Sequence, residues 1–125
     1  MRIVDTSAWI EWLIGSVLGK RIADELPTRD DWLIPTIVQL ELAKWLTREV
    51  SEDKCDSVIA FTRTCVIADL TSSIALLAAE LCHRHRLATA DAIVYATALA
   101  HEAELITCDR HFAKLAGVTY FAKRI

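Results

Sequence analysis

Glycine and proline are scarce in this 125-residue chain, with only Gly15, Gly19 and Gly117 and only Pro27 and Pro35. Without a glycine-rich loop there is no phosphate cradle or dinucleotide fingerprint, so no nucleotide cofactor is expected. Long apolar runs are missing too: Glu11, Lys20, Arg21, Asp24 and Glu25 interrupt the N-terminal region, and no stretch approaches the roughly 18 residues that a membrane helix needs. No signal peptide is read, because the chain opens directly on a strand. Cys55, Cys65, Cys82 and Cys108 lack the paired spacing of a zinc or disulfide framework, and they read as reduced thiols of a cytoplasmic protein. Repeats, low-complexity tracts and linkers are absent as well, which leaves one domain over residues 1–125.

What is present is apolar. A hydrophobic share of 54% predicts a generous core together with an apolar face for a partner. The formal net charge of -3 argues mildly against nonspecific binding to polyanions. Local cations are nevertheless available to line a groove: Lys44, Arg48, Arg84, Arg86, Arg110, Lys114, Lys123 and Arg124.

Strand and helix signals alternate. Residues 2–5 predict a short buried strand, and Ser7 is expected to cap a helix that Gly15 closes. A second helix is expected over 16–26, a brief strand over 32–35, and a long helix from Thr36 to about Val50. Ser51 and Glu52 restart a helix to about Thr64, residues 65–70 carry a β-branched strand pattern, and Thr71 caps the next helix. That helix ends in Cys82-His83-Arg84-His85-Arg86, cations that suit the negative end of a helix dipole. Thr89 is expected to cap a helix through about Ala103, followed by a strand over 105–107, a last helix over 110–116 closed by Gly117, and a terminal strand over 118–121. Such alternation predicts an α/β fold: a short, mostly parallel sheet of four to five strands with helices on both faces.

Four acids stand beside apolar runs: Asp5, Glu41, Asp91 and Asp109. Asp5 and Asp109 follow strands directly, and in parallel α/β sheets ligands gather outside the carboxyl ends of the strands. Two carboxylates about 6 Å apart at an effective dielectric near 20 repel by roughly 3 kcal/mol, so four in one pocket need compensation. A hard divalent cation such as Mg²⁺ or Mn²⁺ supplies it. Thr6, Ser7 and Thr107 are placed to orient the carboxylates through their hydroxyls, or to serve as ordinary caps. Taken singly, Asp5 also fits a turn, Asp91 and Asp109 fit helix N-termini, and Glu41 fits a solvated helix face; the conjunction carries the weight.

These residues in this order resemble a PIN domain, in particular the ribonuclease toxin of a VapBC-type toxin-antitoxin pair. The resemblance rests on Ile3-Val4-Asp5-Thr6-Ser7, on Glu41 after Ile34-Pro35-Thr36, on Ala90-Asp91-Ala92 with Ala96-Thr97-Ala98 behind it, and on Leu105-Ile106-Thr107-Cys108-Asp109 leading into His111-Phe112. It implies a PIN-like fold over nearly the whole chain, with Asp5, Glu41, Asp91 and Asp109 as catalytic, metal-binding acids. It further implies Mg²⁺- or Mn²⁺-dependent hydrolysis of RNA phosphodiester bonds through a metal-activated water. A small antitoxin would lay a helix in an apolar groove, matched here by Trp9, Trp12, Leu13 and Trp45. A homodimer would cover further apolar area, for instance on Leu76, Leu77 and Leu81.

Other readings fit less well. A haloacid-dehalogenase-type phosphatase needs a second aspartate where Ser7 stands, and a receiver domain needs paired acids after its first strand. Cys82, His83 and His85 lack a fourth partner for a soft metal. Two alternatives stay open: a housekeeping RNA-processing nuclease, and a noncatalytic module whose acids hold a cation or a basic peptide.

Overall fold

The computed structural model describes residues 1–123, so Arg124 lies outside the described residues. Among the described residues, five strands alternate with six helices. Strand β1 (Arg2–Val4) leads into helices α1 (Thr6–Ile14) and α2 (Val17–Ala23); β2 (Leu33–Pro35) is followed by α3 (Thr36–Glu49) and α4 (Glu52–Thr62). Then come β3 (Val66–Ala68), α5 (Ser72–His85), α6 (Thr89–Ala100), β4 (Glu104–Thr107) and β5 (Val118–Tyr120).

Every strand pairing is parallel. Strands pair in the order β1-β4-β5 and, separately, β2-β3. A single bridge between Arg2 and Trp32 joins the two groups, which gives the overall order β3-β2-β1-β4-β5. Successive strand residues point to opposite faces, yet Leu33, Ile34 and Pro35 are all buried, as are Leu105, Ile106 and Thr107. Both faces of the sheet are therefore covered at its central strands, whereas the edge strand β3 leaves Val66 and Ile67 exposed. The apolar centre holds Ile3, Leu42, Leu46, Ile106 and Phe112, all fully buried.

Helix ends follow local chemistry. Ser16, Ser51 and Thr71 accept from the backbone N–H three residues on and thereby cap α2, α4 and α5. Gly15, at φ +68°, ends α1 with its N–H on the Trp12 carbonyl, while the Ser16 N–H reaches the Glu11 carbonyl. Gly19 lets α2 lie against α1, since a Cβ there would run into the backbone of Glu11 and Trp12.

Several sequence expectations are corrected. Ser7 does not cap α1: Asp5 holds the N-cap position, and its carbonyl accepts from Ala8 and Trp9. Thr36 and Thr89 are first helical residues behind Pro35 and Ala88, because those two carry the extended backbone of the N-cap. The second helix covers only Val17–Ala23. The sixth ends at Ala100, where Glu102 turns to φ +51° and the Ala103 N–H returns to the Ala98 carbonyl. The expected helix over 110–116 is a single 3-10 turn, Arg110–Phe112, after which Gly117 at φ +75° leads into β5. Of the leucines considered for a dimer face, Leu81 belongs to the core, while Leu76 is 69% exposed.

Candidate metal centre

The four acids reach one edge of the sheet by four routes. Asp5 follows β1 and Asp109 closely follows β4, so these adjacent parallel strands deliver both to their carboxyl ends. Glu41 sits in the second turn of α3, the helix that leaves β2, and Asp91 sits in the first turn of α6. This edge is also where the chain switches from building one side of β1 to the other, the usual location of a ligand crevice in an open α/β sheet.

Hydroxyls hold Asp5 in place. Its Oδ2 accepts from Ser7 Oγ at 2.8 Å and from Thr107 Oγ1 at 2.8 Å, although Asp5 is only 4% exposed. The same two oxygens accept backbone N–H groups beyond β4: Cys108 N donates to Ser7 Oγ at 3.0 Å, and Asp109 N donates to Thr107 Oγ1 at 3.0 Å. Ser7 and Thr107 thus lock the ends of β1 and β4 together around one carboxylate. Thr6 reaches the other way, donating to Glu41 Oε1 at 2.8 Å. All three hydroxyls expected to support the acids therefore contact one.

Asp91, Asp109 and His111 form the tightest group. One ligand atom from each lies within 4.8 Å of the others. Asp109 Oδ1 accepts the His111 backbone N–H at 2.9 Å and lies 2.6 Å from His111 Nδ1. The backbone N–H and a ring nitrogen of one residue thus converge on a single carboxylate oxygen. Asp5 and Glu41 lie outside this group, yet their charges are felt within it. The Asp91 carboxyl is pushed up to about 6, first by burial and then by the charges of Asp109, Asp5 and Glu41. Asp5 is also raised, mainly by burial and further by Glu41, against the opposing hydrogen bonds of Ser7 and Thr107.

His111 had no assigned role in the sequence reading. Its signal was the Asp109-Arg110-His111 spacing directly after a strand, which puts the ring and backbone N–H of the second residue on against the first carboxylate. Of the soft-metal candidates, His83 is exposed and His85 packs edge-on against Tyr95.

The donor chemistry fits a hard divalent cation. Carboxylate oxygens with like charges close by favour Mg²⁺ or Mn²⁺, and one imidazole is compatible with Mn²⁺. Cys108 is beside Asp109 but does not compete: burial and the charge of Glu11 push its thiol up to about 11, so it stays protonated.

One cleft borders these acids, and another opens over the aromatic side of the first helix. A cleft of about 360 Å³ is lined by Ser7, Cys108, Asp109, Arg110, His111, Tyr120 and Lys123. Between α1 and α4 a smaller one, about 210 Å³, is lined by Trp9, Trp12, Leu13, Val58 and Phe61 with Lys54 and Ser57 at its rim. Trp9, Trp12, Trp32 and Phe61 pack as one aromatic cluster beneath it. Trp45, grouped with this surface in the sequence reading, is packed against the core and does not line the cleft.

A small parallel sheet with carboxylates gathered at its switch point defines an α/β protein with an acidic candidate site. The PIN domain family model matches residues 2–118, and the chain belongs to that family. No curated protein matches the sequence. Solved structures do match. A toxin-antitoxin complex from Klebsiella pneumoniae is 26% identical, with a TM-score of 0.81 and 95% of this chain and 96% of that one covered. Mycobacterium tuberculosis VapC20, described as a Sarcin-Ricin loop cleaving toxin, is 20% identical with a TM-score of 0.78 over 94% and 97% of the chains. VapBC2 from Rickettsia felis, bound to a promoter DNA fragment, is 15% identical with a TM-score of 0.74 over 97% and 98%. The last two likenesses concern the fold.

Proposed function

We propose that this protein is a divalent-metal-dependent endoribonuclease and the toxin of a toxin-antitoxin pair, with Asp5, Glu41, Asp91 and Asp109 as its metal-binding acids. The observation that carries this reading is the mutual electrostatic burden on Asp91: three other acids, far apart in sequence, raise its carboxyl together with burial. Such an arrangement costs stability in the free chain and is offset when a cation enters. A bound Mg²⁺ or Mn²⁺ supplies Lewis acidity toward water and phosphate oxygens.

The chain's own residues do the rest. Ser7 and Thr107 fix the Asp5 carboxylate, Thr6 fixes Glu41, and His111 fixes Asp109, so three of the four acids are already oriented before an ion enters. Covered sheet faces restrict access to the carboxyl edge, where a phosphodiester approaches in line between the acids and the cationic rim. Family membership supports nuclease chemistry, and the Klebsiella pneumoniae complex supports the toxin reading. The apolar cleft between α1 and α4 suits a helix of a small antitoxin, with Trp9, Trp12 and Leu13 as its floor. A homodimer, a cytoplasmic setting and RNA as substrate belong to the same proposal.

The test is cleavage of structured RNA by purified, antitoxin-free protein with Mg²⁺, with Mn²⁺ and with EDTA, beside an Asp91→Asn control. Cleavage only with metal, and lost in the control, is the expected result. Equal cleavage by the control contradicts the assignment, while metal binding without any cleavage favours a noncatalytic module. Induction of the protein alone separates toxin from housekeeping enzyme, since a toxin halts growth and a co-encoded small protein relieves the arrest.

A further inference from the structure

The cleft beside Asp109 has a composition that the acids do not explain. Its floor is Cys108 and Tyr120, and its rim carries Arg110, His111 and Lys123. Tyr120 is the last residue of β5 and pairs in register with Thr107, whose hydroxyl holds Asp5. The Phe121 N–H donates to the Thr107 carbonyl at 2.9 Å, so the segment toward Lys123 leaves the sheet beside the acids. An aromatic ring, a low-polarity floor and cations thus share one hollow with a metal-site carboxylate, in a chain whose net charge is -3.

We propose that this cleft is the subsite for the nucleotide next to the scissile phosphate. Tyr120 stacks on its base, and Arg110 and Lys123 hold the flanking phosphates. Every base offers a π-face to an aromatic ring, and stacking tolerates any sequence, while cations neutralise backbone phosphates and position the strand. A volume of about 360 Å³ accommodates one nucleotide rather than a duplex. The adjacent acids repel a polyanion, so cations at their border are needed to draw the strand to that edge. Substrate enters from the β5 side, and single-stranded or looped RNA is favoured because only an unstacked base reaches Tyr120.

This inference rests on the nuclease reading, and its test separates the two. Binding of a fluorescein-labelled, mixed-sequence RNA of about ten nucleotides is followed by anisotropy over a range of salt, in the cleavage-deficient Asp91→Asn background with Mg²⁺. Tyr120→Ala is expected to weaken binding by about 5- to 100-fold, with Tyr120→Phe restoring it. Arg110→Ala and Lys123→Ala are each expected to lower the slope of log K against log salt by about 0.7, whereas Arg29→Ala, before the amino end of β2, leaves it unchanged. Thermal melts of each variant confirm folding. Unaltered affinity in folded Tyr120→Ala with unaltered slopes in both cation variants overturns the subsite and leaves the nuclease reading standing. Failure of the background protein to bind the probe at all overturns both.

Discussion

Asp91→Asn in the metal-free protein should stabilise the fold, although it removes a residue proposed for catalysis. Folding raises the Asp91 carboxyl from 3.8 to about 6, which corresponds to about 3 kcal/mol against the charged form. Asp91 is half-buried, and solvent screening reduces this to about 1–2 kcal/mol. Its position in the first turn of α6 returns about 0.5 kcal/mol through the helix dipole, which asparagine forgoes. The net gain is about 1 kcal/mol, or about 3–5 °C in Tm for a domain of this size. The sign follows from the raised value in the folded state. At neutral pH Asp91 is charged in both states, and only the fold bears the repulsion. Below about 6 the folded state takes up the proton, so the advantage of asparagine shrinks, to about a third near pH 4.5. Thermal melts of both proteins in EDTA at these two pH values measure it. Saturating Mn²⁺ should reverse the order, since the wild type gains about 3 kcal/mol at one hundred times Kd and the variant does not. A variant less stable than wild type in EDTA at neutral pH, with the same deficit near pH 4.5, refutes the reasoning.

Thr107→Val keeps the shape of the side chain but leaves the Asp109 N–H without its acceptor and Asp5 without one donor; about 1–3 kcal/mol of stability and about 10- to 100-fold of metal-dependent cleavage should be lost, read by melts and initial rates. Because that donor lowers the Asp5 carboxyl, the acid limb of the pH-rate profile should also move upward in the valine variant. Gly19→Ala pushes a Cβ into the Glu11 and Trp12 backbone and should cost about 1–3 kcal/mol in denaturant melts, with cleavage per folded molecule unchanged.

Much of the fold is legible because its strands are short, apolar and set between residues with strong local preferences. Ile3-Val4 and Leu105-Ile106 announce β1 and β4, and the acids that follow them mark the carboxyl ends. Caps that act alone were also readable: Ser51 and Thr71 each bind an N–H three residues on. Ser7 misled for a physical reason. A serine two residues past a strand looks like a cap, but its hydroxyl is taken by Asp5 and Cys108, a partner a hundred residues away that no local rule reveals. Asp109 was singled out, yet its pairing with His111 depends on the 3-10 turn that replaced the expected helix. Leu76 and Leu81 look alike in sequence, and only the packing of α5 shows that Leu81 meets the core while Leu76 faces outward. The cleft under Tyr120 required the register of β5 against β4.

The most direct test of the account is calorimetric titration of the metal-free protein with Mn²⁺, repeated for Asp5→Asn, Glu41→Gln, Asp91→Asn and Asp109→Asn. Saturable binding by the wild type, weakened tenfold or more by each of the four substitutions, is the expected result. Wild-type protein that takes up no Mn²⁺, or four variants that bind it as tightly as the parent, would contradict it.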